Sequence, residues 1–561
     1  MSESDRPMEP ISTKTPRLIY NDDGIGIGHG SADDPVGSLR QWVDRVFDHI
    51  RLDVFALSLA ATDIVYYPSQ VGEVVGDRWD DIEAVPSDHM RNIARRIRAL
   101  RALEMDPVSV IADRVHEHEC EFFAEMRMGD THHISLDPNE PLVPQFTIDH
   151  PEWIIQRRDT LPEGVQETAM DYSIEEVRDH RFAILRELAT REEVDGLELN
   201  FIRWGKFFVR EEAPQKIHLM TDFVGRVRQM LIEVARMRNC DALKLGVRTP
   251  STLAECRQAG LDPQVWVEND WLDYLAVCDF NFSDPQIPID EFAAFTDDTK
   301  CSLLLQMGDM IGGVWRGKPS MKDRQRGLAI HTDSYHGYLN SAAEARATAY
   351  NAYAWGADGV AFWNICCNMH DNARWCGPEQ RARIMGWLNA VATPESVLAG
   401  PRHYHFLPLF KWQETPQRNF AVNEQFCSPL GGRHCQILTF SQEAIGRRQV
   451  YTFRMADARD GRPLSGLLRF QIFHIEPGNE VAIDINGVAV AAEVIRCDYR
   501  PDADPPTTWF ELSLVDSPEF RGFNELGITL NQRDDWSEVP YMEELEVIVE
   551  RQDQQVNSHV H

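Results

Sequence analysis

Short apolar runs and longer amphipathic runs alternate along residues 17 to about 400. The first apolar run, RLIYNDDG, indicates a strand that ends in two acids and a glycine, and the helical pattern SLRQWVDRVFDHI follows it. Eight such units occur in order, with strands predicted at 17–24, 52–62, 120–130, 194–204, 242–250, 272–282, 301–309 and 359–365. Alternation of this kind favours a parallel sheet, and eight units predict an α/β fold of the closed (β/α)8 TIM-barrel type. An open doubly wound sheet is the alternative.

Between these strands the apolar periodicity predicts helices. They are expected at 38–50, 88–105, from 107 onward, 174–191, 222–238, 251–260 with Ser251 as N-cap, and 341–356. A proline-containing loop at about 131–170 separates the third predicted strand from the helix predicted at 174–191, and a loop of that length usually serves function.

After Pro401 the pattern changes to short alternating runs with turn residues between them and no helical periodicity. Eight or so such strands predict an all-β sandwich, of jelly-roll type, and ING at 485–487 predicts a hairpin turn. The expected division is a flexible N-terminus at 1–16, a barrel catalytic domain at 17–400, a β-sandwich domain at 401–552 and a flexible C-terminus at 553–561.

Composition narrows the classes of partner. The 561-residue chain is 43% hydrophobic and 26% charged, as globular proteins are, and its formal net charge of −33 argues against nucleic acid or an anionic membrane as partner. It has no signal-like N-terminus and no apolar run near 18 residues. Eleven scattered cysteines favour reduced thiols, so a cytoplasmic location is expected. No cofactor is expected, and a homo-oligomer is left open.

A glycine-rich segment, GIGIGHG at 24–30, does not fit the dinucleotide fingerprint. The G-x-G-x-x-G pattern needs a third glycine three residues after the second, and the spacing here differs. A mobile glycine loop over the barrel mouth is the preferred interpretation.

Polar residues collect at one end of the predicted strands. In a barrel all carboxyl ends of the strands share one face, and that face carries the active site. The predicted substrate-binding residues on it are Asp22, Asp23, Arg127, Asp130, His132, His133, Asn200, Arg203, Arg248, Trp363 and Asn364. Further aromatic platforms for a sugar ring are expected at Trp204, Phe207, Phe208 and Trp375.

Hydrolysis of a glycosidic bond requires two carboxyl groups, one protonated and one ionised. Glu198, in the strand VDGLELNFIRW, is predicted to be the acid and Asp309 its ionised partner, because strands four and seven face each other across such a barrel. If Glu198 instead lies in a deep structural layer paired with an arginine, Glu125 or Asp279 takes its place. A metal site in GDTHH (129–133) is a competing interpretation, although sugar hydrogen bonding is preferred for His132 and His133.

Four strings together resemble uncharacterised bacterial glycoside-hydrolase-like barrel proteins: DGLELNFIRWGKFF, LGVRTPSTLAECRQAGLD, WLDYLAVCDFN and AYAWGADGVAFWN. The resemblance covers most of 17–400 and implies a TIM barrel, often with a following β-sandwich, and a carbohydrate substrate. Relatives usually carry an acid where this chain has Asn200, which bears on whether it hydrolyses. The expected function is a glycoside hydrolase acting on oligosaccharides. The alternatives are a metal-dependent sugar isomerase, epimerase or lyase, and a non-catalytic carbohydrate-binding barrel.

Overall fold

The computed structural model describes most of both predicted domains. The described residues are 17–31, 33–131, 135–156, 166–202, 205–278, 283–314, 329–332, 335–365, 378–407, 436–458, 464–503 and 505–550. The two chain ends that the sequence predicts to be flexible lie outside them. No helix among the described residues is long and apolar enough to span a membrane.

Eight parallel strands form a closed barrel. They are β1 (Arg17–Asp22), β2 (Val54–Ala61), β3 (Glu121–Arg127), β4 (Gly196–Asn200), β5 (Lys244–Pro250), β6 (Tyr274–Cys278), β7 (Ser302–Met307) and β8 (Gly359–Trp363). Each strand pairs in parallel with its neighbours in the chain, and β1 pairs with both β2 and β8, which closes the ring. The predicted TIM barrel is confirmed, and the open-sheet alternative is wrong.

Helices connect the strands and cover the barrel from outside. Their bounds are Pro35–Phe47, Asp88–Arg101, Pro107–Glu117, Gln145–Asp149, Glu175–Ala189, Ile217–Arg238, Leu253–Gln258, Pro263–Glu268, Ile289–Thr296, Ala342–Ala354, Pro378–Trp387 and Pro394–Leu398. The helices at 263–268 and 289–296 were not predicted, since six and eight residues are too few for a clear period. Two small groups of strands extend the strand ends. Ile64–Val65 pairs antiparallel with the end of β2 and parallel with Glu73–Val74. Met310–Val314, Tyr335–Leu339 and Ala329–Thr332 form a three-stranded antiparallel sheet.

One helix start differs from the prediction. The N-cap of the helix Leu253–Gln258 is Thr252, whose hydroxyl oxygen accepts a hydrogen bond of 3.1 Å from the backbone N–H of Glu255. Ser251 instead donates its hydroxyl to the Glu255 carboxylate at 2.9 Å. The N-cap is therefore one residue later than predicted, and both hydroxyls form hydrogen bonds with Glu255 in the first turn of the helix.

The glycine-rich segment is a packed turn, so the expectation of a mobile loop over the mouth is wrong. Residues Ile25–Gly28 form a 3-10 turn, and Ile27 is buried. A Cβ on Gly26 would lie 2.0 Å from the indole ring of Trp42, so only glycine lets this turn pack against the helix.

Where the structure describes it, the C-terminal part forms two antiparallel sheets around one apolar core. Its main strands are β9 (Arg402–Phe406), β10 (Gln449–Arg454), β11 (Gly466–Phe473), β12 (Glu480–Ile485), β13 (Ile495–Arg500), β14 (Thr507–Ser513), β15 (Phe523–Gln532) and β16 (Leu545–Val549). One sheet has the order β9–β16–β11–β14–β13, and the other contains β10–β15–β12. Short strands at Leu438–Thr439, Val488–Ala489 and Tyr541–Met542 complete them. The predicted all-β architecture is confirmed, as is the hairpin turn, where Asn486 and Gly487 have φ of 54° and 79°.

Candidate functional site

Strand alternation places a set of polar side chains inside the barrel. Ile19 faces an interior apolar cluster, so Asn21, two residues later on β1, faces the interior as well. The strand register sets Glu125 of β3 directly beside Glu198 of β4. One step nearer the carboxyl ends, Asn200 lies between Arg127 and Arg248. The sequence prediction that Glu198 and Asn200 share the interior face is confirmed.

Glu125 and Glu198 form a buried carboxyl pair bridged by an amide. The Asn21 Nδ2 group donates to Oε2 of Glu125 and, at 2.6 Å, to Oε1 of Glu198. Both glutamates are at most 1% exposed. Because like charges in a dry site repel, such a pair is stable when it holds a proton between its members.

Three further groups hold this pair in place. The Arg248 Nη1 group donates to Glu125 Oε2 at 3.0 Å and lies 3.8 Å from Glu198 Oε1. The Tyr274 hydroxyl donates to Glu198 Oε2 at 2.5 Å, and Asn200 Nδ2 donates to Glu125 Oε1 at 3.1 Å. Each glutamate therefore accepts several hydrogen bonds, which offsets part of the cost of burying it.

The pKa of Glu198 is raised well above its usual value. Burial is the largest cause; the charge of Arg248 opposes it, and the adjacent Glu125 adds to it both by its charge and by a hydrogen bond between the two carboxyls. Burial also raises the pKa of the Tyr274 phenol. Burial beside a second carboxyl thus favours the protonated form of Glu198, the form needed to donate a proton.

A glycine makes room for this arrangement. A Cβ on Gly246 of β5 would lie 2.0 Å from Cζ of the Tyr274 ring on the neighbouring strand. The missing side chain therefore allows the phenol to cross the barrel interior and reach Glu198.

A second polar network lies toward the carboxyl ends. Arg127 Nη1 donates to Asp130 Oδ2 at 2.8 Å, and its Nη2 lies 2.9 Å from Asp23 Oδ1. Asn364 donates its Nδ2 to Asp23 Oδ2 at 2.6 Å and accepts from the Asp23 backbone N–H at 2.8 Å. These four predicted residues are brought together. Asp130 is ion-paired with Arg127, which gives the proposed metal site at 129–133 no support from this residue.

The remaining predicted residues are distributed differently. Asp22 does not share the interior face: it accepts from the Tyr20 hydroxyl at 3.1 Å and from the Gly24 N–H at 2.8 Å, so it holds the turn after β1. Its predicted role in substrate binding has no support from that position. Asp309 is buried just after β7. The Trp363 ring lies 5.9 Å from the Arg248 guanidinium. Four predicted site residues lie outside the described residues, namely His132, His133, Arg203 and Asp279.

The predicted aromatic platforms are not supported where the structure describes them. Phe207 and Phe208 are 1% and 4% exposed, and Phe207 packs edge-on against Phe201 and Tyr172. They belong to the apolar core and cannot stack on a sugar. Trp204 and Trp375 lie outside the described residues.

A polar cleft opens beside the ends of β3 and β4. Its cavity volume is about 10 Å³, which is room for about one water molecule. Its polar lining comes from Thr62, Asp130, Thr131, Thr168, Arg181 and Lys206. Hydroxyl, carboxylate and cationic groups together can donate to and accept from a single water molecule or hydroxyl group.

Two members of the interior network were missed from the sequence. Asn21 stands in the apolar run of β1, and Tyr274 begins β6, so each resembles an ordinary strand residue. For Asn21 a signal existed, since alternation from the apolar Ile19 places an amide on the interior face. For Tyr274 the signal was weaker, because only the glycine on the adjacent strand indicates space for its ring.

Comparisons with known proteins give no family. No family model matches the chain, and no curated protein does. Among solved structures, the PgaB (BpsB) glycoside hydrolase domain from Bordetella bronchiseptica is 11% identical, with a TM-score of 0.40, over 64% of this chain and 97% of that one.

Two other solved structures are comparably distant. A family GH18 chitinase from Cycas revoluta is 12% identical, with a TM-score of 0.33, over 62% of this chain and 94% of that one. A noncanonic maltogenic alpha-amylase from Thermotoga neapolitana is 11% identical, with a TM-score of 0.35, over 94% of this chain and 98% of that one. Likeness at this level concerns the fold and does not assign a reaction.

Proposed function

We propose that the chain is a glycoside hydrolase-like enzyme that cleaves glycosidic bonds of oligosaccharides at the carboxyl ends of the barrel strands. The observation that carries the proposal is the raised pKa of Glu198 beside the Glu125 carboxylate. Glycosidic hydrolysis needs a carboxylic acid that stays protonated at neutral pH, and burial beside a second carboxyl supplies one.

The two glutamates do not themselves flank the substrate bond. They reach the same amide nitrogen and hydrogen-bond to each other, which leaves no room for a sugar between them. In the proposal Glu198 is therefore the acid and Glu125 is a positioning residue that sets its protonation. Asp309, after β7, is the ionised partner, and the sugar chain binds at the carboxyl ends of the strands.

One alternative is favoured by a specific observation. Glu198 and Glu125 are almost fully buried, and the next interior position toward the mouth on β4 is an amide, Asn200, rather than an acid. A barrel that binds carbohydrate without cleaving it would have such an interior. The same experiment distinguishes the two functions.

The test is a glycan-library screen of the purified protein with product analysis. We expect Glu198→Gln and Asp309→Asn each to lower turnover by about 10²–10⁴-fold, the usual worth of a general acid or base. The matched control is Glu121→Gln, since Glu121 lies on β3 at the opposite end from the mouth, paired with Arg17. Turnover that survives both substitutions would refute the proposal. Glycan binding by the native protein without any product would replace it with the binding function.

The proposed setting is the cytoplasm, where the enzyme would act on oligosaccharides already imported. The dispersed cysteines and the acidic composition support this setting. Cell fractionation with an antibody to the chain tests it, and recovery outside the cytoplasmic fraction would contradict it.

A further inference from the structure

A cluster of histidines and glutamates joins the barrel to the β-sandwich. Its members are Glu344, His403, His405, Glu544 and Glu546. Glu344 lies in the helix Ala342–Ala354 that precedes β8, and the two histidines lie two apart on β9, so they share one face. The four members other than His403 are at most 3% exposed. We propose that this cluster is a zinc site that fastens the sandwich to the barrel.

Both imidazole rings direct the same nitrogen toward one carboxylate oxygen. The Nδ1 atom of His405 is 2.8 Å from Glu344 Oε1, and the Nδ1 atom of His403 is 3.7 Å from that oxygen. The rings lie parallel, with centroids 5.1 Å apart. Zinc–ligand bonds near 2.0–2.1 Å put tetrahedral donor atoms about 3.4 Å apart. These separations bracket that value, so a two-histidine, one-carboxylate set faces a common point.

The opposite nitrogen of each ring contacts its own carboxylate. His405 Nε2 is 2.7 Å from Glu544 Oε1, and His403 Nε2 is 2.8 Å from Glu546 Oε2. Metal-binding histidines usually donate their second N–H to a carboxylate, which fixes the tautomer and leaves the first nitrogen free to coordinate. Both outer carboxylates are in turn hydrogen-bonded, by Gln471 at 3.0 Å and Arg469 at 2.8 Å.

The remaining oxygen of Glu344 has a separate task. Glu344 Oε2 accepts the backbone N–H of Ser341 at 2.7 Å, which completes the capping box of the helix. The helix start therefore fixes the carboxylate so that Oε1 faces the histidines. Two nitrogens and one oxygen suit zinc or another borderline divalent ion, and His403, the most exposed member with 13% of its side chain accessible, marks the side for entry.

Two alternatives to this zinc site exist: a cluster without metal, and a second position for an ion. His405 as an imidazolium could bridge Glu344 and Glu544 without metal. An ion could also lie among His405 Nε2, Glu544 and Glu546. A histidine ring has one lone pair for a metal, so this position and the first exclude each other at His405. The first position is preferred because it gives both rings a coordinating nitrogen and a carboxylate partner.

The test uses the full chain, purified without a histidine tag, stripped with EDTA and titrated with zinc chloride. Elemental mass spectrometry should find about one zinc per chain, and zinc addition should raise the melting temperature of the stripped protein. Glu344→Gln and His403→Gln should abolish zinc uptake; the first keeps an oxygen acceptor for the helix cap. Glu544→Gln should weaken binding by about 10–100-fold, as loss of an outer carboxylate does. The matched control is His474→Gln, elsewhere in the sandwich, which should bind zinc like the native chain.

Three outcomes would overturn the proposal. The first is a stripped chain that takes up no zinc and melts at the same temperature with and without it. The second is zinc uptake that survives Glu344→Gln and is lost in Glu544→Gln, which would place the ion on the other side of His405. The third is stability that falls as pH rises through the histidine range and is indifferent to zinc, which would assign the cluster to an imidazolium bridge. Cobalt(II) absorption in the native and Glu344→Gln chains gives a readout that does not depend on glycan turnover.

Discussion

Single residues decide where the barrel interior keeps a proton. Glu198 touches a second carboxyl, an amide and a phenol, and each contact acts on its protonation in a known direction. The sequence of β4 predicts a strand with Glu198 on its interior face, but it does not show which groups surround that carboxyl. The acid arises because strand register puts Glu125 alongside and because burial withholds water from both.

Replacing Glu198 with glutamine should change how stability depends on pH. In the folded chain the raised pKa keeps the proton on Glu198, whereas the unfolded chain loses it above about pH 4.3. The free energy of unfolding should therefore fall by up to about 1.4 kcal/mol per pH unit from this group as pH rises toward its folded pKa. Glu198→Gln removes that loss. Thermal melts of both proteins between pH 5 and 8 measure the difference.

Glu121→Gln is the control for that comparison. Glu121 lies on β3 at the amino end of the barrel, with its side chain 32% exposed and paired with Arg17. Its substitution should leave the pH slope over this range unchanged. A native slope equal to that of Glu198→Gln would show that Glu198 is ionised in the folded protein.

At the scale of elements, one glycine in β5 decides how two strands share the interior. Gly246→Ala would put a Cβ 2.0 Å from the Tyr274 ring, so the phenol or the strand must move. Overpacking of this kind costs about 1–3 kcal/mol. We expect a lower melting temperature and altered tyrosine near-ultraviolet circular dichroism, since the ring leaves its hydrogen bond to Glu198.

Gly386→Ala supplies the contrast. Gly386 lies in the helix Pro378–Trp387, where an added Cβ meets no atom of the described residues within 4 Å. Alanine there should raise stability by about 0.5–1 kcal/mol through helix propensity. If Gly246→Ala lowered the melting temperature no more than Gly386→Ala, the inferred close packing of Gly246 in β5 against the Tyr274 ring in β6 would be wrong.

Helical periodicity and strand alternation predicted the barrel, because each pattern can be recognised within a single helix or strand. They also placed Glu198 and Asn200 on the inside. What they could not supply was contact between distant strands, such as the bridge from Asn21 of β1 to Glu198 of β4. The cluster at His403 shows the same limit: H-x-H and E-x-E at alternate positions were visible, but their neighbourhood depends on sheet order and on a barrel helix. The zinc proposal accordingly departs from the expectation of no cofactor, and it places the metal elsewhere than the competing site at 129–133.

At the scale of the whole molecule, the sandwich is fastened to the barrel by polar and aromatic contacts. Asn351 of the barrel helix accepts the Ala456 backbone N–H at 2.8 Å. Gln286, after β6, donates to the Thr452 carbonyl at 2.8 Å. The sandwich thus uses the backbone of β10 and its exit as an interface, which favours a structural role over a separate sugar-binding module.

Arg454 at the end of β10 is the residue on which that interface should depend. Its guanidinium lies 4.6 Å from the Phe523 ring and 5.5 Å from the Trp355 ring, and it donates to Asp290 at 2.5 Å. Arg454→Met keeps the apolar stem but loses the charge, which should cost about 1–3 kcal/mol. Because the lost contacts lie between the two domains, calorimetry should show a lower temperature for the first unfolding transition and a wider separation between the unfolding of sandwich and barrel.

The control is Arg496→Met, at a side chain that is 79% exposed. It should change neither transition, since exposed ion pairs contribute little to stability. Equal melting curves for the two variants would mean that the domains do not depend on Arg454 for their coupling.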